Sequence, residues 1–311
     1  MNPKYSIVVP VFNEEEVITV THERLSKLMR STGESYELVF INDGSRDKTP
    51  ELLAGICAAD KNARLINFSR NFGHQPAITA GMDYAQGDAV VVIDADLQDP
   101  PEVILDMIKE WKNGYDVVYG KRLKRRGETF FKKFTANAYY RFLKSMTSVD
   151  IPVDTGDFRL IDRKVCDAMK ALPEKSRYVR GLVSWVGFRQ KAVEYVREER
   201  FAGETKYPLK KMIKLAMDGI AAFSYKPLKL ASFLGTLVCV LSALGLLTML
   251  GLWVFGGPSA AGWLPAVAGV MFLQGVTLIT LGIAGEYLGR VFEEMKGRPI
   301  YIVRETLGFD K

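Results

Sequence analysis

From Leu230 to Gly285 the chain carries no charged side chain, and this stretch limits what it can fold into more than any other feature. It divides at Gly256-Gly-Pro-Ser-Ala-Ala-Gly262 into two apolar segments, Leu230–Phe255 and Trp263–Leu288. Each exceeds the roughly 20 residues that cross a hydrocarbon layer. As the core of a soluble protein such a pair would be extraordinary, so a two-helix transmembrane hairpin is expected. Lys226 and Lys229 precede it while Arg290, Lys296 and Arg298 follow, which by the positive-inside rule leaves both termini cytoplasmic. Small residues such as Gly235, Gly245, Gly275 and Gly282 suit close helix packing. The first apolar run, Ile7 to Phe12, is too short for a signal peptide and is broken by Pro10, so the preceding domain is expected on the cytoplasmic side of the cell membrane.

That preceding part is ordinarily polar. The 42 Lys and Arg against 36 Asp and Glu give a net charge of +6, which suits a membrane surface or a phosphorylated substrate and does not call for nucleic acid. Cys57, Cys166 and Cys239 are odd in number and far apart. With only His22 and His74 they make neither a zinc pattern nor a disulfide framework, as expected in a reducing cytosol.

Four strand-to-helix units follow one another. Strands are expected at Ile7–Val11, Leu38–Ile41, Leu65–Phe68 and Val90–Ile93, and helices over Glu15–Met29, from Pro50 and over Ala77–Tyr84. Right-handed crossovers put the four loops on one edge of one parallel sheet, where ligands of such sheets bind. At that edge Asp94 and Asp96, one residue apart, are placed to hold a hard cation that bridges phosphates. The alternative is local: Asp94 ends its strand, and Asp96 or Asp99 caps a helix begun by Pro100 and Pro101.

Neither G-x-G-x-x-G nor a Walker A sequence occurs, so side chains must neutralise phosphate. Lys121, Arg122, Lys124, Arg125 and Arg126 are candidates, or else a solvated loop. Phe130, Phe131, Phe134, Tyr139, Tyr140 and Phe142, interleaved with Lys132, Lys133, Arg141 and Lys144, have the mixture of an interfacial helix on anionic lipid. Pro208–Phe223 reads as a second such helix, or as an amphipathic core helix. The tail around Tyr301-Ile-Val303 reads as an edge strand, pairing with the soluble domain or with a neighbouring subunit of a homo-oligomer.

The motifs PVFNEEE at 10–16, NDGSRDKT at 42–49, Asp-Ala-Asp-Leu-Gln-Asp at 94–99, Gly156-Asp-Phe-Arg-Leu160 and Arg200-Phe-Ala-Gly-Glu-Thr-Lys-Tyr207 together resemble family 2 glycosyltransferases of the GT-A fold. Within that family the chain is similar to polyprenyl-phosphate glycosyltransferases, over essentially its whole length. The resemblance implies an α/β, Rossmann-like, mostly parallel cytosolic domain over 1–206. An interfacial helix and linker over 207–229, two transmembrane helices over 230–289 and a cytosolic tail over 290–311 would follow.

It implies, further, that Pro10, Phe12, Glu14 and Asp43 hold the base and ribose of a nucleotide-sugar, although Asp43 can instead merely close its Asn-Asp-Gly-Ser turn. Asp94, Asp96 and Gln98 would coordinate Mg2+ or Mn2+ on the diphosphate. Arg122, Arg200 and Lys206 would neutralise donor or acceptor phosphate. Asp157 stands at the family's catalytic carboxylate, and Arg159 would hold Asp157 or the phosphate. Simple proton abstraction by Asp157 is not expected, because a lipid monophosphate with a second pKa near about 6 is already largely anionic at neutral pH; Asp157 would orient the acceptor, take any residual proton, or steady the sugar or metal. The expected reaction is inverting transfer of a hexose, glucose favoured, from a UDP-sugar to undecaprenyl phosphate. Two rivals are weaker. A processive polysaccharide synthase would carry Gln-x-x-Arg-Trp, which is missing here. A membrane-anchored nucleotide-sugar sensor or assembly subunit would have no need to keep Asp94, Asp96, Asp157, Arg200 and Lys206 together.

Overall fold

A computed structural model describes residues 3–123, 152, 155–175, 177–198, 226–256 and 264–309. They fall into two compact units, one of residues up to 198 together with 298–309, the other of 226–297 as far as described.

The first unit is built on an eight-stranded sheet: β1 (Tyr5–Val11), β2 (Tyr36–Asn42), β3 (Ala63–Phe68), β4 (Ala89–Val92), β5 (Val117–Arg122), β6 (Thr155–Asp162), β7 (Gln190–Tyr195) and β8 (Val303–Leu307). Their order is β7-β5-β6-β4-β1-β2-β3-β8. Strands β1 to β4 pair in parallel, as expected, whereas β6 runs antiparallel to both β4 and β5. The crossovers are made by α1 (Ile18–Ser31), α2 (Thr49–Ala59) and α3 (His74–Tyr84), and α4 (Val103–Lys112) leads from β4 to β5. Further on come α5 (Arg163–Lys170) and α6 (Val179–Trp185). Every residue of β1 and β2 is buried, the condition of a parallel sheet covered on both faces.

β1, β2 and β3 each begin two residues before their apolar runs. Ser6 and Glu37 are buried polar residues that answer one another: the Ser6 hydroxyl donates to Glu37 at 2.5 Å, and Arg64 donates to the same carboxylate at 2.6 Å. Pro10 is tolerated inside β1 because β4 pairs with β1 only as far as Val8, so no neighbour awaits the missing N–H. The tail does form the edge strand β8, and its partner is β3 of the same chain, antiparallel, with Asn67 opposite Glu305.

The second unit holds two long helices that pack on each other, α7 (Lys226–Gly256, 31 residues) and α8 (Leu264–Met295, 32 residues). Among the described residues one segment, Gly269–Met295, is long and apolar enough to cross a membrane by composition, with mean hydropathy 1.4. The expected interfacial stretches Phe130–Lys144 and Pro208–Phe223, and Lys124, Arg125, Arg126, Arg200 and Lys206, lie outside the described residues.

Candidate active site

The loops after β1, β2 and β3 are laced together before any ligand is considered. The Asn13 amide donates to the Ser45 hydroxyl (2.9 Å), and the Asn13 side chain accepts from the Arg46 amide (2.9 Å). The Glu14 amide donates to the Thr49 hydroxyl, and Glu15 accepts from the Lys48 amide, both at 2.9 Å. Glu15 therefore belongs to the loop, and α1 starts at Ile18, later than its apolar spacing suggests. The PVFNEEE and NDGSRDKT motifs thus bind each other, and Phe12, half-buried, is left lining a cleft.

Asp43 has a different task from closing its own turn. That turn is closed by Asn42, whose side-chain oxygen accepts from the Ser45 amide at 3.0 Å. The Asp43 carboxylate reaches the third loop and accepts from the amides of Phe72 (2.6 Å) and Gly73 (2.9 Å). Burial raises its pKa, against the lowering effect of those two amides. Gly44, at φ 69°, allows this closure: a Cβ there would lie 2.6 Å from Arg70 C and Asn71 N. Gly44→Ala is expected to cost at least about 2 kcal/mol, from left-handed backbone and overlap with immovable main chain. Thermal unfolding of the solubilised protein checks this, and an unchanged midpoint would contradict it.

Beyond β4 lies a group of carboxylates. Asp94 follows the strand closely, Leu97 adopts φ 55°, and the Asp96 carboxylate accepts from the Gln98 amide at 3.1 Å, folding the loop back on itself. Neither Asp96 nor Asp99 caps a helix: α4 begins at Val103, behind Glu102, with no side-chain cap. Asp99 is buried and accepts from the Tyr195 hydroxyl (2.5 Å) and from Arg122 (3.2 Å), with Arg197 at 3.4 Å. Arg122 is accordingly fastened to Asp99 and Tyr195, and although burial opposes its charge, those neighbours raise its pKa. Asp94 is pushed up to about 6, chiefly by burial, with Asp157, Asp96 and Asp99 adding to the rise and His74 opposing it. Among the described residues no three His, Cys, Asp or Glu side chains form a metal cage. Mg2+ and Mn2+ do not need one where one or two carboxylates, substrate phosphates and water complete the shell. Asp94 and Asp96, two hard-oxygen donors one residue apart, fit such a cation.

Asp157 lies on β6, inserted beside β4 by the antiparallel pairing that sets Val92 opposite Arg159. Only 5% of the residue is exposed. Its carboxylate accepts both Nε (2.8 Å) and a terminal nitrogen (3.1 Å) of Arg180, and Gln75 Nε2 at 3.3 Å, and it stands 3.3 Å from His74 Nε2. Gln75 also accepts the Val179 amide at 2.8 Å, tying α3 to α6 around the acid. Burial would raise the Asp157 pKa, but Arg180 and His74 outweigh it and hold the carboxyl well below its ordinary range. Burial likewise lowers the His74 pKa, but the hydrogen bond to Asp157 and the charges of Asp94 and Asp157 raise it to about 9. His74 also stands 3.6 Å from Asp94, so it connects the two acids.

Arg159 is not the partner of Asp157. Two residues along the strand, it donates to the Gly156 carbonyl at 2.9 Å, and burial lowers its pKa to about 10. Arg180 takes the place that the motif spacing suggests for Arg159. Sequence reasoning missed His74, Gln75 and Arg180. For the first two a signal exists, because they directly follow the third loop on the first turn of α3, whereas Arg180 sits in no recognisable pattern.

Residues 6–169 match the glycosyl transferase family 2 domain. The chain is 59% identical to the uncharacterized glycosyltransferase YkcC of Bacillus subtilis, over 99% of this chain and 95% of that one. It is 41% identical to the SfII prophage-derived bactoprenol glucosyl transferase of Shigella flexneri, over 97% and 98% of the two chains. Among solved structures, glucosyl-3-phosphoglycerate synthase from Mycobacterium tuberculosis, in complex with Mn2+, UDP-glucose and glycerol 3-phosphate, superposes with TM-score 0.50 at 20% identity, covering 70% of this chain and 78% of that one. The sheet is thus that of a GT-A-like α/β fold, and the chain belongs to glycosyl transferase family 2.

Proposed function

We propose that this glycosyltransferase moves glucose from UDP-glucose to undecaprenyl phosphate at the cytoplasmic face of the membrane, with inversion, releasing UDP. The observation that carries the acceptor and the sugar is the near full-length relationship, at 39–41% identity, to proteins named bactoprenol glucosyl transferase. A phosphate oxygen of the lipid attacks the anomeric carbon as the bond to the UDP oxygen breaks, so negative charge grows on the departing diphosphate. Asp94 and Asp96, with Gln98, would hold Mg2+ or Mn2+, which supplies charge neutralisation at that diphosphate. Pro10, Phe12, Glu14 and the Asp43-closed loop form the nucleoside end, while Arg122, Arg200 and Lys206 serve the phosphates.

Asp157 takes a positioning and electrostatic role. A carboxylate held ionised by Arg180 and His74 is a weak proton acceptor, and the attacking phosphate, with a second pKa near about 6, needs little deprotonation. The four-part organisation at 1–206, 207–229, 230–289 and 290–311 belongs to this reading, with α7 and α8 as a membrane hairpin and both termini cytoplasmic. Its support is length and surface: Val270, Met271, Phe272, Leu278 and Ile279 on α8 are more than half exposed, a surface that water does not favour and lipid does. Anchorage would keep the enzyme where the polyprenyl phosphate is confined. Membranes containing the protein, offered a panel of labelled nucleotide-sugars with undecaprenyl phosphate and Mg2+ or Mn2+, should make lipid-linked glucose from UDP-glucose. Transfer from none of them would favour the sensor.

A further inference from the structure

Of the carboxylates beyond β4, Asp99 is the one the transfer leaves unused, although at 1% exposed it is more deeply buried than Asp94 or Asp96. A buried carboxylate persists only where hydrogen bonds and opposite charge replace its water. Both come from the ends of β5 and β7. Tyr195 Oη donates to Asp99 at 2.5 Å, Arg122 Nη2 donates at 3.2 Å, and Arg197 Nε stands 3.4 Å away. The Tyr195 hydroxyl also accepts from Arg122 Nε at 3.1 Å, so two residues grip the Nε and Nη2 side of that guanidinium, and Nη1 is left out of these bonds. Burial and the Asp99 charge raise the Tyr195 pKa, which keeps the phenol a donor.

This grip sets Arg122 between the two elements that carry the acids. On one side is the loop of Asp94 and Asp96. On the other is β6: a Cβ at Gly156 would lie 2.6 Å from Arg122 Nη2, so the guanidinium rests against the backbone that leads into Asp157. Gly120 makes room for Tyr195 in the same way, since a Cβ there would lie 2.8 Å from its Cε1, and Phe158 meets the phenol ring edge-on at 5.7 Å. The Glu198 amide donates to the Gln98 carbonyl at 2.9 Å, fastening the chain after β7 to the same loop. Two guanidinium groups against one carboxylate leave the cluster positive.

We propose that Asp99 is a positioning residue for sugar transfer: together with Tyr195 it holds Arg122, between the loop of Asp94 and Asp96 and the Gly156–Asp157 backbone, in the orientation that meets phosphate. The inference rests on the assignment of Arg122 to phosphate. An arginine fixed before the substrate arrives loses little rotamer freedom on binding, and its planar fork is already aligned. A residue with no substrate contact of its own thereby acts on the rate. The phosphate belongs either to the donor or to the acceptor, and the measurements below separate the two.

The test is a double-mutant cycle on sugar transfer by the full-length protein in lipid nanodiscs, with UDP-glucose, undecaprenyl phosphate and Mn2+. Arg122→Ala is expected to lower kcat/KM about a hundredfold, and Asp99→Asn about tenfold or more. In the Arg122→Ala background Asp99→Asn should cost less than about twofold, because its effect passes through that guanidinium. Tyr195→Phe keeps the carboxylate and the ring and removes one hydroxyl, so it decides the matter if Asp99→Asn does not fold. Its expected loss is about three- to tenfold, again absent once Arg122 is Ala. A raised donor KM with weaker calorimetric binding of UDP and Mn2+ assigns the donor diphosphate. A raised KM for undecaprenyl phosphate with that binding unchanged assigns the acceptor. Wild-type kinetics in Tyr195→Phe, or losses that multiply with that of Arg122→Ala, would mean that the cluster only holds the fold, and overturn the proposal. Should the wild type itself transfer no sugar, the transfer reading falls and this proposal with it, whereas an active wild type with those kinetics removes the role of Asp99 alone.

Discussion

Replacing Asp157 by Asn is expected to lower sugar transfer by about a hundredfold to a thousandfold, the range for loss of one preorganised electrostatic group. The substitution is nearly isosteric, but it strips the negative charge that Arg180 and His74 surround and turns an amide N–H₂ toward donors. Breaking a buried pair from one side also costs stability, on the order of 3–5 kcal/mol, because the Arg180 charge is left without its partner. Thermal unfolding of the variant reads that cost separately from the rate.

The pH dependence separates a positioning carboxylate from a base. The folded pKa of Asp157 lies below its unfolded value near about 3.9, so its contribution to stability is fully present above that value and is lost only as pH falls through the lower, folded one. Between pH 5 and 8 Asp157 does not titrate. With saturating Mn2+, an acid limb in the transfer rate near pH 6 is therefore expected from the lipid phosphate, and Asp157→Asn should keep that limb at a uniformly lower rate. A variant whose rate recovers toward wild type as pH rises would assign proton removal to Asp157 instead.

Asp96→Asn should abolish metal-dependent turnover, by more than about a hundredfold, since even outer-shell partners of a metal ligand cost ten- to a hundredfold. The protein should stay in the membrane fraction, because the residue is remote in sequence from the apolar helices. Titrating Mn2+ against activity gives the check: the residual rate should need far more metal, and undiminished activity would remove Asp96 from the site. In Asp94→Asn a similar loss is expected, because one of the two hard-oxygen donors becomes a neutral amide.

How much of this was legible depends on what each residue answers to. The four parallel strands announce themselves as apolar runs bounded by polar loops, and the single edge follows from crossover handedness. Their true starts are hidden in the sequence because Ser6, Glu37 and Arg64 are polar residues whose burial is compensated only across strands. β6 is harder still. It carries Asp157 and Arg159 in its middle, so a pattern that looks like a site motif is also a buried strand running against its neighbours. Asp94 and Asp96 could be placed from position alone, next to the end of β4. Of the partners of Asp157, His74 and Gln75 are signalled by their place directly after the third loop, but Arg180 arrives from α6 without a pattern, and only the folded chain brings it to the acid. The edge role of the tail was visible in Tyr301-Ile-Val303, but its choice of β3 over a neighbouring subunit rests on long-range pairing.

The most direct test of the central claim is the chemical structure of the product. Purified protein in lipid nanodiscs, given UDP-α-glucose, undecaprenyl phosphate and Mn2+, should form undecaprenyl-phosphate glucose with the β configuration at the anomeric carbon, and stoichiometric UDP. Asp157→Asn should form the same β product at the reduced rate. An α-linked product would contradict direct attack by the lipid phosphate, and free glucose with no lipid-linked sugar would contradict the acceptor itself.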